Sequence, residues 1–171
     1  MICPNCGFDN LPGAEECSSC LQDLTQLDRP IPLDRIERTL METPVAVLRP
    51  PRPVTVPPTA TLAEVMRLLI ERDLGAILVA GGDGKLLGIF SERDLLIKVA
   101  GLHEAYAELP VSQFMTSKPE TISAEDTLAF AIHKMDIGGY RHLPMVKDGK
   151  PTGVISVRDM VRYITRLCRD G

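Results

Sequence analysis

Two stretches of the chain are near-copies of each other, and this repetition limits the fold more than any other feature. Asp83-Gly84-Lys85 leading into Gly88-Ile89-Phe90-Ser91-Glu92-Arg93-Asp94 recurs as Asp148-Gly149-Lys150 leading into Gly153-Val154-Ile155-Ser156-Val157-Arg158-Asp159, at an offset of 65 residues. Upstream the offset becomes 66: Val54-Thr55-Val56 matches Glu120-Thr121-Ile122, and Thr61-Leu62-Ala63 matches Thr127-Leu128-Ala129. Two copies of one unit, each too small to bury its own apolar face, must pack against each other. The expected body is a pair of repeats.

Each copy reads as strand, helix, strand, strand, helix. In the first, Val54 to Val56 is a short β-rich run, and Thr59 or Thr61 can cap a helix from Leu62 to Arg72 with Leu62, Val65, Met66 and Leu69 on one face. Ala76 to Ala80 predicts a buried strand, Gly81 to Gly84 a turn, Leu86 to Phe90 a second strand, and Ser91 opens a helix through Ala100. The second copy predicts a strand at Thr121-Ile122, a helix from Leu128 to Met135, strands at Leu143–Val146 and Val154-Ile155, and a helix from Arg158 towards Cys168. Gly101 to Pro110 joins the copies. A short amphipathic helix within Ile31–Met41 leads into them, carried by Ile36 and Leu40.

The first 20 residues hold four of the five cysteines, Cys3, Cys6, Cys17 and Cys20, spaced C-x2-C-x10-C-x2-C. Each C-x-x-C loop lets two thiolates converge on one ion, and two such knuckles complete a tetrahedral sulfur site. That site supplies folding energy to a segment with almost no core. Two disulfides would use the same residues, but a reducing compartment argues against them. Zinc and iron both suit four thiolates; Phe8 is the segment's one aromatic, little to shield a redox iron, which favours zinc. Met1-Ile2-Cys3-Pro4 lacks the start of a secretion signal and no apolar run nears the roughly 18 residues of a membrane span, so a cytoplasmic protein is expected.

Charge is unevenly spread. Residues 1–28 hold five acidic and no basic residues, so they account for −5 where the whole chain is −4, leaving residues 29–171 at +1. Four thiolates around a divalent ion make this segment more acidic still, and phosphate backbones would be repelled, which argues against nucleic acid as a partner. After Cys20, Pro30 and Pro32 among charged residues suit a semi-rigid connector, with a boundary near Asp28.

The repeated motif has a chemistry of its own. Ser91 and Ser156 stand where a strand gives way to a helix, so a hydroxyl and the free amides of a first turn face whatever lies there. Asp94 and Asp159 follow one turn later, where a carboxylate can accept two hydrogen bonds from a ribose diol. The same Ser-x-x-Asp is also a capping box, worth about 0.5–2 kcal/mol to any helix. Arg93 and Arg158, likewise repeated, can reach a phosphate or pair with a surface carboxylate. His103 and His133 have no catalytic partner at suitable spacing, and Cys168 reads as a buried, inert thiol. No P-loop and no Ser-His-Asp set is present, and a metal closed by four sulfurs leaves no open position for a substrate.

The order of elements, Gly-x-x-Ser-x-x-Asp at both strand-to-helix junctions, and Arg141-His142-Leu143-Pro144 before an apolar strand resemble a tandem pair of CBS (cystathionine β-synthase) motifs, a Bateman module, over about residues 45–167. Residues 1–24 resemble a zinc ribbon by knuckle pattern. The resemblance implies an α/β (α+β) fold: two β-α-β-β-α repeats about a pseudo-twofold, with residues 1–26 as the metal module, 27–44 as linker and short helix, 45–102 as the first repeat and 103–171 as the second. It implies a principal ligand site with Ser156 and Asp159 on ribose and phosphate, Arg141 and His142 on phosphate, and Val56, Gly75 and Ala76 around a base. A second, weaker site would use Ser91 and Asp94 with Thr121 and Ile122, because Gly75 and Ala76 stand where the second copy has Arg141 and His142.

The function so implied is a non-catalytic regulatory module that binds an adenosyl ligand (AMP, ADP, ATP or S-adenosylmethionine) and relays it to an unidentified protein partner, as a homodimer with a structural zinc ion. A ligand-free dimeric scaffold, or nucleic-acid binding through the ribbon, are the alternatives.

Overall fold

The computed structural model describes residues 2–3, 5–11, 13–24, 32–100 and 104–169. The boundary expected near Asp28 and His103 lie outside them. The chain forms two compact units, Met1–Arg35 and Ile36–Gly171.

The first unit is itself a duplication, at an offset of 14 residues. Ile2 bridges Asp9 as Glu16 bridges Asp23. The Cys3 amide donates to Phe8 O at 2.9 Å as the Cys17 amide does to Gln22 O at 2.8 Å, and the amides of Gly7 and Leu21 return to Cys3 O and Cys17 O at 2.9 Å. Each turn needs a left-handed residue, which glycine supplies at Gly7 (φ 73°) and Leu21 supplies under strain (φ 58°). Among the described residues of this unit, only Cys3, Cys17 and Leu24 are fully buried apolar residues, with Ala14 and Cys20 against them. That is far too little apolar area to hold a fold alone.

The second unit contains the two repeats. Helix α1 (Arg35–Glu42) leads in; the first repeat is β1 (Thr55–Val56), α2 (Leu62–Glu71), β2 (Ala76–Ala80), β3 (Leu86–Ser91) and α3 (Glu92–Asp94), which continues as a π-helical turn over Leu95–Val99. Strand β4 (Thr116–Ser117) follows, then α4 (Leu128–Gly138), β5 (His142–Lys147), β6 (Lys150–Ser156) and α5 (Val157–Arg169). β1 runs parallel to β2, and β2–β3–β4 are antiparallel neighbours. β5 and β6 form a hairpin closed by Asp148-Gly149, both at positive φ, the backbone that a two-residue turn requires. Thr61 caps α2 in a capping box with Glu64, as its sequence predicts.

Two expectations change. The strand expected at Thr121-Ile122 is a single parallel bridge from Ile122 to Met145, because only its amide and carbonyl meet that strand, at Pro144 O and Val146 N. Cys168 is exposed on α5, since the apolar face of that helix buries Met160 instead.

The lead-in segments are exchanged between repeats. Val45, just after α1, is fully buried in the second core with Ile122, Leu128, Leu143 and Ile155, with Leu40 of α1 and Leu48 packed against it. Val111, in the segment that leads into β4, is buried in the first core with Leu62, Ile77, Val79 and Phe90. The backbone bonds repeat the exchange: Val45 N donates to Asp126 O and Val111 N to Ala60 O, both at 2.8 Å. The hairpin ends of the two repeats also meet, with Leu86 N donating to Gly149 O at 2.9 Å.

Candidate functional site

The exchanged segments explain the glycine of the repeated motif. A Cβ at Gly88 would stand 2.4 Å from Met115 Sδ and 3.0 Å from Thr116 O, and one at Gly153 would stand 2.8 Å from Pro50 Cγ. Each lead-in therefore lies directly on the strand that delivers Ser91 or Ser156, and no side chain fits between them.

Both Ser-x-x-Asp motifs are closed as capping boxes with the same geometry. Ser91 Oγ and Ser156 Oγ donate at 2.6 Å to Asp94 Oδ2 and Asp159 Oδ2. The serine amides donate to the same oxygens at 3.0 and 2.9 Å. The copies differ at the other carboxylate oxygen. Asp94 Oδ1 is held by Lys98 Nζ at 2.7 Å and by the Thr116 hydroxyl at 3.2 Å, whereas Asp159 Oδ1 has no partner among the described residues. Burial alone would raise the Asp94 pKa; Lys98 and the Ser91 donors outweigh it and bring the carboxyl below its ordinary value.

A cleft of about 800 Å³ opens beside the first motif, within the range of small-ligand sites. Ser91, Asp94, Arg93 and Lys98 form one wall, Thr116 to Glu120 another, and Gly138 to His142 of the second repeat the third. Ile89, Leu96, Ile97 and Tyr140 supply apolar surface. Arg93 Nη1 donates to Gly139 O at 3.1 Å across the cleft. The cleft lining thus holds Arg141 and His142 together with Ser91 and Asp94, while in the β5–β6 ladder His142 is also the register partner of Ser156, the serine with which the resemblance grouped it. His142 also reaches the first repeat at Gly75, another residue of that grouping: it occupies the space a side chain would fill, and a Cβ there would lie 2.5 Å from His142 Nε2.

Gly75 and Ala76 are half-buried at the start of β2, outside the cleft lining, as are Ser156 and Asp159 at the β6–α5 junction. Val56 and Ile122 are buried in the two cores. Thr121 is half-buried, its carbonyl accepting from Lys134 Nζ at 2.9 Å. Lys98, Lys118 and Tyr140 of the cleft lining were missed by the sequence reading. Lys98 had a readable signal, for at the offset of 65 it corresponds to Tyr163, a change of charge one turn after the motif.

In the first unit the four thiols are free, and their sulfurs all lie within 4.8 Å of one another. Cys3 to Cys20 is 3.7 Å and Cys6 to Cys17 is 3.6 Å. Four sulfurs at about 2.3 Å from a tetrahedral ion are roughly 3.8 Å apart, so the donor set and its spacing fit a metal such as zinc. Burial would raise the Cys17 thiol, but the amides of Cys20 and Ser19 and the Asn10 side chain bring it down to about 6. The Phe8 amide pulls Cys6 down, yet the neighbouring thiols, Cys20 first, and burial push it up to about 11. Four thiols this close do not ionise together without a cation among them.

The chain matches the CBS domain family over residues 38–101 and again over 111–166. It belongs to the CBS-domain family and carries a pair of its repeats. An uncharacterized 17.7 kDa protein of Acidianus ambivalens is 31% identical over 125 residues, 72% of this chain and 74% of that one. The chain spans 25% and 22% of the length of two longer curated relatives. Among solved structures, a CBS-domain-containing protein of Agrobacterium tumefaciens is similar at 35% identity and a TM-score of 0.66, covering 71% of this chain and 98% of that one. A CBS-domain protein of Pyrobaculum aerophilum, complexed with AMP, is similar at 29% identity and a TM-score of 0.66, covering 75% of this chain and 100% of that one.

Proposed function

We propose that the protein is a non-catalytic regulatory module whose paired repeats bind an adenosyl ligand, AMP, ADP, ATP or S-adenosylmethionine, and relay its presence to a protein partner. The observation that carries this reading is the cleft that joins Ser91 and Asp94 of one repeat to Arg141 and His142 of the other. A ligand touching both repeats binds one relative arrangement better than another, which is what a switch requires. The Pyrobaculum protein's complex with AMP supports the ligand class.

In this reading Ser91 and Asp94 take the ribose, and Arg141 and His142 take phosphate, a guanidinium being able to fork two of its oxygens. Ser156 and Asp159, with Gly75 and Ala76, form the pseudo-symmetric second site. Zinc, held by Cys3, Cys6, Cys17 and Cys20, is structural, and the protein acts in the cytoplasm as a homodimer. Among the described residues no helix is long and apolar enough to cross a membrane.

The test is a thermal-shift titration with AMP, ADP, ATP and S-adenosylmethionine. A ligand at a hundred times its dissociation constant stabilises by about 2.7 kcal/mol. A shift that is reduced by Asp94→Asn supports the reading; no shift with any of the four overturns it in favour of a ligand-free scaffold.

A further inference from the structure

We propose that Lys98 makes the first-repeat cleft selective for adenosyl ligands that carry phosphate, against neutral nucleosides and against the cationic sulfonium of S-adenosylmethionine. The inference rests on the adenosyl reading above and deepens it for this one site.

In the adenosyl reading Asp94 is the carboxylate that meets the ribose. Both Asp94 oxygens are in use: Oδ2 by Ser91, and Oδ1 by Lys98 at 2.7 Å and Thr116 at 3.2 Å. Lys98 Nζ also donates to Phe114 O at 2.8 Å and to Thr116 Oγ1 at 3.3 Å, so this residue of the π-helical turn Leu95–Val99 is bound at three points outside it. The Asp94 side chain is only 13% exposed and the Lys98 side chain 36%. A ribose diol therefore reaches Asp94 Oδ1 only as Lys98 gives way, and an ammonium that leaves a half-buried carboxylate needs another anion. A phosphate on the same ligand is that anion. Adenosine has none, and S-adenosylmethionine sets its single carboxylate against a sulfonium and an ammonium, a net positive charge like that of Lys98.

The rest of the cleft points the same way. Its acids are already committed in part, Asp94 to Lys98 and Glu120 to Lys134 at 2.9 Å. Arg93, Lys118 and Arg141 then face Glu92 alone, an excess of positive charge along the cleft. In the second repeat the residue at the position of Lys98 is Tyr163 and Asp159 Oδ1 is open, so this selection belongs to the first site only. Lys98 acts through Asp94 and is a positioning residue.

Dissociation constants for AMP, adenosine and S-adenosylmethionine, measured by calorimetry on the full chain and on Lys98→Met and Lys98→Arg, test the idea. The wild type is expected to prefer AMP over adenosine at least ten-fold, Lys98→Met to lose most of that ratio by weakening AMP and strengthening adenosine, and Lys98→Arg to keep it. An AMP to adenosine ratio unchanged in Lys98→Met overturns the proposal while the adenosyl reading stands. No binding of AMP to the wild type overturns the adenosyl reading and the proposal with it. Equal loss of all three ligands in Lys98→Met, with a lowered melting temperature, assigns Lys98 a purely structural role and overturns the selectivity.

Discussion

At the scale of single residues, His142 is where the second repeat reaches into the first, at Gly75. Burial disfavours its charged form, and with Arg141 and Arg158 nearby this outweighs the pull of Glu92 and Asp159, so His142 lies below its ordinary 6.5. A histidine whose folded pKa is depressed binds its proton less well folded than unfolded. Its contribution to stability is therefore fully present above about pH 6.5 and is lost as the pH falls through the folded value. Urea midpoints at about pH 7.5 and about pH 5.5 should drop in the wild type by more than in His142→Gln; equal drops would show that another group titrates. The Ser-x-x-Asp pairs were legible because the chain states them twice. That Arg141 and His142 also line the cleft beside Ser91 was not, since that depends on how the two repeats face each other and no spacing encodes it.

At the scale of elements, the strands and helices with strong periodicity were legible and the weakly patterned ones were not. Ala76 to Ala80 and the helix from Leu62 emerged from apolar runs and a cap, and the structure has both. β4 was missed because Thr116-Ser117 carries no apolar alternation; it exists only because β3 offers Gly88 and Ile89 as an open edge. That contact is tight enough to be tested. Gly88→Ala places a methyl against Met115 Sδ and the Thr116 carbonyl, an overpacking expected to cost about 1–3 kcal/mol. Since Thr116 also holds Asp94, the variant should weaken cleft ligands as well as lower the urea midpoint. A variant as stable as the wild type would show that the lead-in yields easily.

At the scale of the whole molecule, the chain contains two bodies stabilised by different physics. The repeats hold two apolar cores, while the described residues of the first unit bury only Cys3, Cys17 and Leu24 and bring four thiols together in a set that fits a metal ion. Purified protein is expected to contain about one zinc per chain by elemental analysis and no visible absorption, because Zn²⁺ is d¹⁰; visible colour would indicate iron. Removing the metal with a strong chelator should leave far-ultraviolet helical ellipticity almost unchanged, since every helix found lies in residues 35–169. A large loss of ellipticity would mean that the repeats need the metal module to stay folded. The duplication predicted the paired body directly. The exchange of lead-ins was invisible, for Val45 and Val111 sit in proline-flanked stretches with no periodic neighbours.

That exchange decides how the molecule is wired. The chain entering through α1 is anchored by Leu40 and Val45 in the repeat that comes last in sequence, and the link between the repeats is anchored by Val111 in the one that comes first. A tug on the amino-terminal side is therefore felt first by the far repeat, and neither half can be cut away without pulling a plug out of the other.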